Sequence, residues 1–181
     1  VIVKPNFGDS SVGITVDSVC SDIGQLEQAI ARVRERCGFA APVLVEEFLT
    51  GKDLSVGIIG NPPDSYTALP IIEEDYSKLP EGLPRICGYE AKWDPDSVYF
   101  ESVGSIRAEL PQATVEFLHA SCIRLFQRLG CQDYARFDWR LDANGTPRLL
   151  EVNPNPGWCW DGHLARMAAL AGMSYADMLK E

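Results

Sequence analysis

The sequence predicts an α+β protein. Two strand pairs around short turns, at 42–59 and 134–152, predict antiparallel β structure, and two stretches with apolar residues at three- and four-residue spacing, at 23–37 and 115–129, predict helices. The 181 residues suffice for one domain or two small lobes with a real core. Hydrophobic residues make up 46% and charged residues 23%, the balance of a globular chain and not of a disordered one. Sixteen Lys and Arg against 26 Asp and Glu leave a net charge of −10, which repels nucleic acid and anionic membranes. A phosphate ligand would therefore need a local site. Apolar runs end far short of the ~20 residues that span a bilayer.

The amino-terminal elements come first. Val1 to Val3, and then Val12, Ile14 and Val16, read as two strands joined by the polar loop Asn6-Phe7-Gly8-Asp9-Ser10-Ser11. A helix follows, capped by Ser21, with Ile23, Leu26, Ile30, Val33 and Cys37 on its buried face. Pro42 to Val45 and Leu54 to Ile59 read as strands around the turn at 50–53. The stretch from Asn61 to Ser105 is rich in Pro, Gly, Asp and Tyr and reads as a long functional loop region, with strands only at 66–72 and 98–103. The chain opens on Val1 without Met and reads as a fragment whose upstream part is missing.

Pro111 suits the first turn of a helix with core face Val115, Leu118, Cys122, Leu125, Phe126 and Leu129, stopped by Gly130. A hairpin at 134–152 turns at Asn144-Gly145. Helices at 163–171 and 174–180 close the chain, the second with Ser174 and Asp177 spaced as a capping box. Six cysteines lack a C-x-x-C pair and fall largely on apolar faces, which predicts buried free thiols of a cytoplasmic protein. With only His119 and His163, a His-rich zinc site is all but excluded, and His119, beside the helix stripe, reads as structural.

The hairpin carries the most chemistry. A two-residue Asn144-Gly145 turn pairs Asp138 with Glu151 and Arg136 with Asn153 on one face, and puts Phe137, Trp139, Leu150 and Val152 on the other. Facing carboxylates repel unless a cation lies between them, and Asp, Glu and Asn offer only oxygen ligands, so the cation is magnesium or manganese. A three-residue loop with Gly145 as a bulge would send Glu151 to the opposite face. A solvated, charged sheet face is the alternative to a metal site.

Three further groups could meet a nucleotide. Gly8, Ser10, Ser11 and Gly13 could close over a phosphate as a flap with Lys4 beside them, although a Gly/Ser-rich loop can be only a turn. Glu46, Glu47, Phe48 and Leu49 end a strand that could grip adenine, with Asp53 near the ribose hydroxyls. Lys92, in Tyr89-Glu90-Ala91-Lys92-Trp93, is a cation among aromatics. His163, soon after Pro156-Gly157, is a candidate substrate contact.

In order, Val3-Lys4-Pro5, residues 8–13, Val43 to Phe48, Tyr89 to Lys92, Ala135-Arg136-Phe137-Asp138 and Leu150-Glu151-Val152-Asn153 resemble the ATP-grasp ligases, most closely the D-alanine–D-alanine ligase family, over almost the whole chain. The resemblance implies an ATP-grasp fold of antiparallel sheets with flanking helices, with ATP between two lobes. Residues 1–60 would belong to the small lobe, with flap and adenine hinge, and 61–181 to the carboxy-terminal lobe with the metal and substrate site. An amino-terminal domain would lie upstream, and a homodimer is compatible.

The implied activity joins a carboxylate to an amine through an acyl phosphate, with amino acids or a short peptide as substrates. The alternative is an inactive ATP-binding regulatory or scaffolding module. Lys4, Ser10, Ser11 and Lys92 would touch phosphates, Glu46, Glu47, Phe48, Leu49 and Leu150 would surround the nucleoside, and Asp53 would hold ribose. Asp138, Glu151 and Asn153 would hold two magnesium ions. Arg136 would stabilise the oxyanion, acting with Lys92 and Ser10 in catalysis, and Gly157, Gly162 and His163 would face substrate. The chain has Gly8-Asp9 where the family has Glu-Gly. It has Trp158 to Leu164 where the family has a Ser-Leu after the metal-binding asparagine.

Overall fold

A computed structural model describes residues 1–61 and 65–181, so positions 62–64 of the expected loop region lie outside the described residues. The fold is α+β with antiparallel sheets. The chain forms two compact units, each discontinuous in sequence: Val1–Phe48 with Asp75–Gly104, and Leu49–Glu74 with Ser105–Glu181.

The first unit contains β1 (Ile2–Pro5), α1 (Ile23–Cys37), β2 (Val43–Glu46), α2 (Tyr89–Trp93) and α3 (Val98–Ser102). Strands β1 and β2 form an antiparallel pair, and Val3 packs with Cys20, Ala29 and Val33, so one face of α1 covers the pair. Asp22, and not the expected Ser21, caps α1, because its carboxylate accepts from the Gln25 amide at 2.9 Å. Ser21 bonds the Gln25 side chain instead. Ile23 and Cys37, at the two ends of the expected buried face, are exposed.

No second strand forms at 12–16. Ser10 and Ser11 take positive φ of 53° and 59°, and the chain winds through turns from Asp9 to Val12 and Ser11 to Ile14 into a short 3-10 helix at Val16–Ser18. The groups a ladder would use go to α2: Ile14 O accepts from the Tyr89 amide at 2.8 Å, and the Val16 amide donates to Glu90 Oε1 at 3.0 Å. The strand expected at 98–103 is α3, because the Ser97 hydroxyl caps it by accepting from the Tyr99 amide. Tyr99 is buried and donates to Pro84 O. Burial first, and the Glu90 charge second, push its hydroxyl pKa up to about 12.

The second unit contains β3 (Asp53–Asn61), β4 (Ser65–Ala68), β5 (Ile72–Asp75), β6 (Gly104–Arg107), α4 (Gln112–Leu129), β7 (Tyr134–Leu141), β8 (Pro147–Asn153), α5 (His163–Leu170) and α6 (Tyr175–Met178). The expected strand at 66–72 is divided between β4 and β5, and β6 was not expected. The sheet runs β6-β5-β3-β7-β8, with β4 also on β3.

Side-chain alternation along the central strand sorts its residues between two cores. Leu54, Val56 and Ile58 join Phe137, Trp139 and the α4 residues Leu118, Cys122 and Phe126. On the other face, Ile59 joins Leu164, Met167 and Ala168 of α5 and Met178 of α6. Burying a side chain such as Phe126 or Phe137 contributes about 1.5–3 kcal/mol. Gly130, at φ +65°, ends α4 as expected, while Leu129 is exposed. The Ser174/Asp177 capping box is formed.

Among the described residues, no helix is long and apolar enough to cross a membrane. All six cysteines are free. Cys20, Cys122 and Cys131 are buried as expected, but Cys37 and Cys159 are exposed. Burial pushes the Cys122 thiol up to about 12, so it behaves as a small apolar side chain. His119 bonds Leu69 O through Nε2 at 3.2 Å, a structural contact.

Candidate functional site

The hairpin of β7 and β8 places Asp138 opposite Glu151 and Arg136 opposite Asn153, the expected pairing reached by another route. The turn is a three-residue loop closed by the Asp142 amide on Thr146 O, with Gly145 at φ +79°. That loop pairs Trp139 with Leu149 and would put Leu150 opposite Asp138. A bulge between these pairs leaves Leu150 as the extra residue and returns Glu151 to the Asp138 face. Leu150 is therefore an exposed bulge residue and not the regular Phe137-face residue expected.

Asp138 is gripped from three directions. Arg136 donates Nε to Oδ1 and Nη2 to Oδ2, each at 2.8 Å. Ser55 of β3, the register partner of Asp138, donates its hydroxyl to Oδ1 at 2.7 Å, and Asn153 Nδ2 reaches Oδ2 at 2.9 Å. Burial raises the Asp138 carboxyl pKa, but the hydrogen bonds and charge of Arg136, with Ser55, outweigh it and hold the pKa below the ordinary value. Burial likewise opposes the Arg136 charge, and Asp138 more than offsets it, so the Arg136 pKa is raised. This is a half-buried, two-pronged ion pair with both members charged.

Glu151 is exposed and accepts from Asn153 Nδ2 at 3.0 Å. Among the described residues no group of three or more His, Cys, Asp and Glu is arranged to hold a metal ion. The set here is two carboxylates and one amide. Their chemistry fits a hard cation: Asp138, Glu151 and Asn153 share a sheet face and offer oxygen donors. The Asn153 amide now turns its nitrogen to both carboxylates, as a cation would have it turn its oxygen.

His163 begins α5, after Gly162 at the cap position, and stands beside this group. Its Nε2 lies 3.1 Å from Glu74 Oε1 and 3.4 Å from Ser105 Oγ, and its Nδ1 lies 3.4 Å from Ser55 Oγ. Sequence reasoning passed over Ser55, Glu74 and Ser105. The available signal was Ser55 itself, a serine inside the apolar run Leu54 to Ile59 and in phase with Asp138. Gly157 precedes the Trp158-Cys159-Trp160 stretch, where Trp160 is exposed. Asp53 forms an ion pair with its register partner Arg140 at 3.2 Å.

The first unit assembles the phosphate candidates. Lys92 on α2 donates Nζ to Ser11 Oγ at 2.8 Å, and Trp93 Nε1 donates to Ser10 O at 2.9 Å. The loop at 8–13 and the lysine chosen from a distant motif are therefore in contact. Lys4 pairs with Glu46 across β1 and β2 at 2.5 Å. Glu47 is exposed and Phe48 half-buried at the end of β2, while Leu49 opens the second unit.

The sequence profile of the family described as D-ala D-ala ligase C-terminus matches residues 1–181. The chain is 38% identical over 181 residues to the D-alanine–D-alanine ligase of Bordetella pertussis, covering 98% of this chain and 51% of that relative. A solved structure of D-alanine–D-alanine ligase from Bacillus anthracis matches with TM-score 0.72 at 27% identity, over 99% of this chain and 51% of that one. A structure of D-alanine–D-alanine ligase from Bacillus anthracis complexed with ATP matches with TM-score 0.70 at 24% identity, over 99% and 49%, a likeness of fold. The chain spans about half the length of the relatives it matches.

Proposed function

This chain belongs to the D-ala D-ala ligase C-terminus family, and we propose from that premise that it serves an ATP-dependent ligase joining a carboxylate to an amine. The fold is the ATP-grasp fold of that family. The observation that carries the proposal is the face of β7 and β8 bearing Arg136, Asp138, Glu151 and Asn153, with Asp138 held ionised although half-buried.

In this reaction class a substrate carboxylate attacks the γ-phosphate of ATP to give an acyl phosphate, and an amine then displaces phosphate to form an amide. Asp138, Glu151 and Asn153 would hold magnesium, which supplies charge neutralisation on the transferring phosphoryl group. Lys92 and Lys4 offer cations to phosphate oxygens, and Ser10 and Ser11 offer hydroxyls from a loop tied to α2. Glu46, Glu47, Phe48, Leu49 and Leu150 are the nucleoside candidates, and Asp53 would hold ribose in exchange for part of its contact with Arg140. Arg136 keeps a guanidinium next to the carboxylates, where it would stabilise the oxyanion as the amine adds. Gly157 and Gly162 are proposed to border the substrate, an amino acid or short peptide.

Asp138→Asn and Glu151→Gln in the intact protein should each abolish magnesium-dependent ADP release, measured with a panel of amino acids. Undiminished turnover in either variant overturns the assignment. ATP binding without phosphate release from any amino acid would favour a nucleotide-binding module without ligase activity.

A further inference from the structure

We propose that Glu74, His163 and Ser55 form a positioning relay that fixes the orientation of Asp138. The inference rests on Asp138 being a metal ligand, as proposed above, and extends that site to His163 and to two residues outside the expected set, Ser55 and Glu74.

The direction of each hydrogen bond follows from counting protons. Ser55 has one hydroxyl proton and gives it to Asp138 Oδ1 at 2.7 Å, so toward His163 Nδ1 its oxygen can only accept. The relay therefore needs Nδ1 as the donor to Ser55. Ser105 spends its proton on Glu74 Oε2 at 3.1 Å, and Glu74 Oε1 is a carboxylate oxygen. Both neighbours of Nε2 are thus acceptors, and they hold the other edge of the ring. The groups facing the ring are Glu74 from β5, Ser105 from β6 and Ser55 from β3, with Asp138 and Arg136 of β7 one hydrogen bond further on.

The relay reads Glu74, His163, Ser55, Asp138, Arg136. Ser55 is buried, and the Glu74 side chain is only 11% exposed. Asp138 is thereby clamped at Oδ1 by a hydroxyl whose other side His163 Nδ1 faces at 3.4 Å. Arg136 grips Asp138 from its own strand and Ser55 from the neighbouring strand, so the carboxylate plane is fixed before any cation arrives. Groups that orient a metal ligand in this way carry much of a site's affinity. His163 is accordingly a positioning residue.

Two measurements test this. Long-range proton–nitrogen NMR of the unsubstituted chain should show a proton on His163 Nδ1; a ring protonated on Nε2 alone overturns the relay. Manganese binding to the intact protein with a non-hydrolysable ATP analogue, read by electron paramagnetic resonance, should weaken by about ten- to a hundredfold in Ser55→Ala and His163→Gln. Ser55→Thr, which keeps the hydroxyl, should restore it. Unchanged manganese affinity in Ser55→Ala and His163→Gln, with affinity lost in Asp138→Asn, overturns the relay alone. Retained affinity in Asp138→Asn overturns the metal assignment and the relay together.

Discussion

Glu151 stands directly opposite Asp138 across the β7–β8 ladder, and the Asn153 amide nitrogen bonds both carboxylates. Like charges in facing positions destabilise a ladder by up to about 1 kcal/mol, and exposure of Glu151 screens part of that here. Glu151→Gln keeps an acceptor for Asn153 and removes the repulsion. Without metal, the variant should therefore be more stable than the parent by about 0.5 kcal/mol in urea unfolding. It should also lose the extra stability that magnesium with ATP gives the parent. A metal-free variant less stable than the parent would mean that Glu151 serves the fold, not a cation.

The Arg136–Asp138 pair sets a pH signature. The folded Asp138 pKa lies below the unfolded carboxyl value of about 3.9, because Arg136 and Ser55 outweigh burial. A depressed pKa contributes stability that is complete above about pH 4 and is lost as pH falls through the folded value. The parent should therefore lose stability more steeply than Asp138→Asn below pH 4, by urea unfolding at a series of pH values. Asp142, lowered first by the Thr146 amide and then by Asn144 and Arg148, works in the same direction and leaves a residual slope in the variant. Coincident acid limbs in parent and variant would contradict the ion pair.

Lys92 and Ser11 meet at 2.8 Å although eighty-one positions separate them, which ties a cation to the turn at 8–13. If Lys92 bears on the transferring phosphate, Lys92→Met should lower kcat by about a hundredfold or more, the scale of a lost transition-state donor. Ser11→Ala removes one neutral contact and should cost less than about tenfold. Steady-state kinetics of the intact protein separate the two. Equal, small losses would make the contact a loop brace without a part in chemistry.

The legible parts of the site were those encoded by alternation and by short-range turn chemistry. Arg136, Asp138, Glu151 and Asn153 could be placed on one face from strand period alone, yet the expected two-residue turn is a three-residue loop, and the Leu150 bulge makes up the difference. Two departures that cancel leave no trace in a pattern of faces. At 12–16 the apolar alternation was genuine, but the hydrogen bonds go to Tyr89 and Glu90, some 75 positions away, and no local pattern reports that. The segment 98–103 looked like a strand because Val98, Tyr99 and Phe100 favour one. The Ser97 cap and the burial of Tyr99 decide for a helix. Glu74 and Ser105 were out of reach for the same reason as α2: β5 and β6 meet α5 only in the folded unit.

Gly57 shows how backbone approach on β3 supports the chemistry two residues away. A Cβ there would lie 2.8 Å from Leu164 Cδ2, 3.0 Å from Met167 Sδ and 3.1 Å from Leu69 Cδ1, all tighter than ordinary contact. Gly57 and Ser55 share a sheet face, so the missing side chain lets α5 settle where His163, next to Leu164, reaches Ser55 Oγ. Gly57→Ala must push Leu164 and Met167 outward, and overpacking of this kind costs about 1–3 kcal/mol. The same displacement should lengthen the His163–Ser55 contact, already 3.4 Å, beyond hydrogen bonding. We therefore expect Gly57→Ala to unfold at lower urea and to shift the His163 ring resonances toward those of Ser55→Ala, while Gly145→Ala, whose Cβ meets nothing within 4 Å, costs only the strain of its φ of +79° and leaves those resonances in place. Unmoved His163 resonances in a destabilised Gly57→Ala would separate the packing of α5 from the orientation of Asp138.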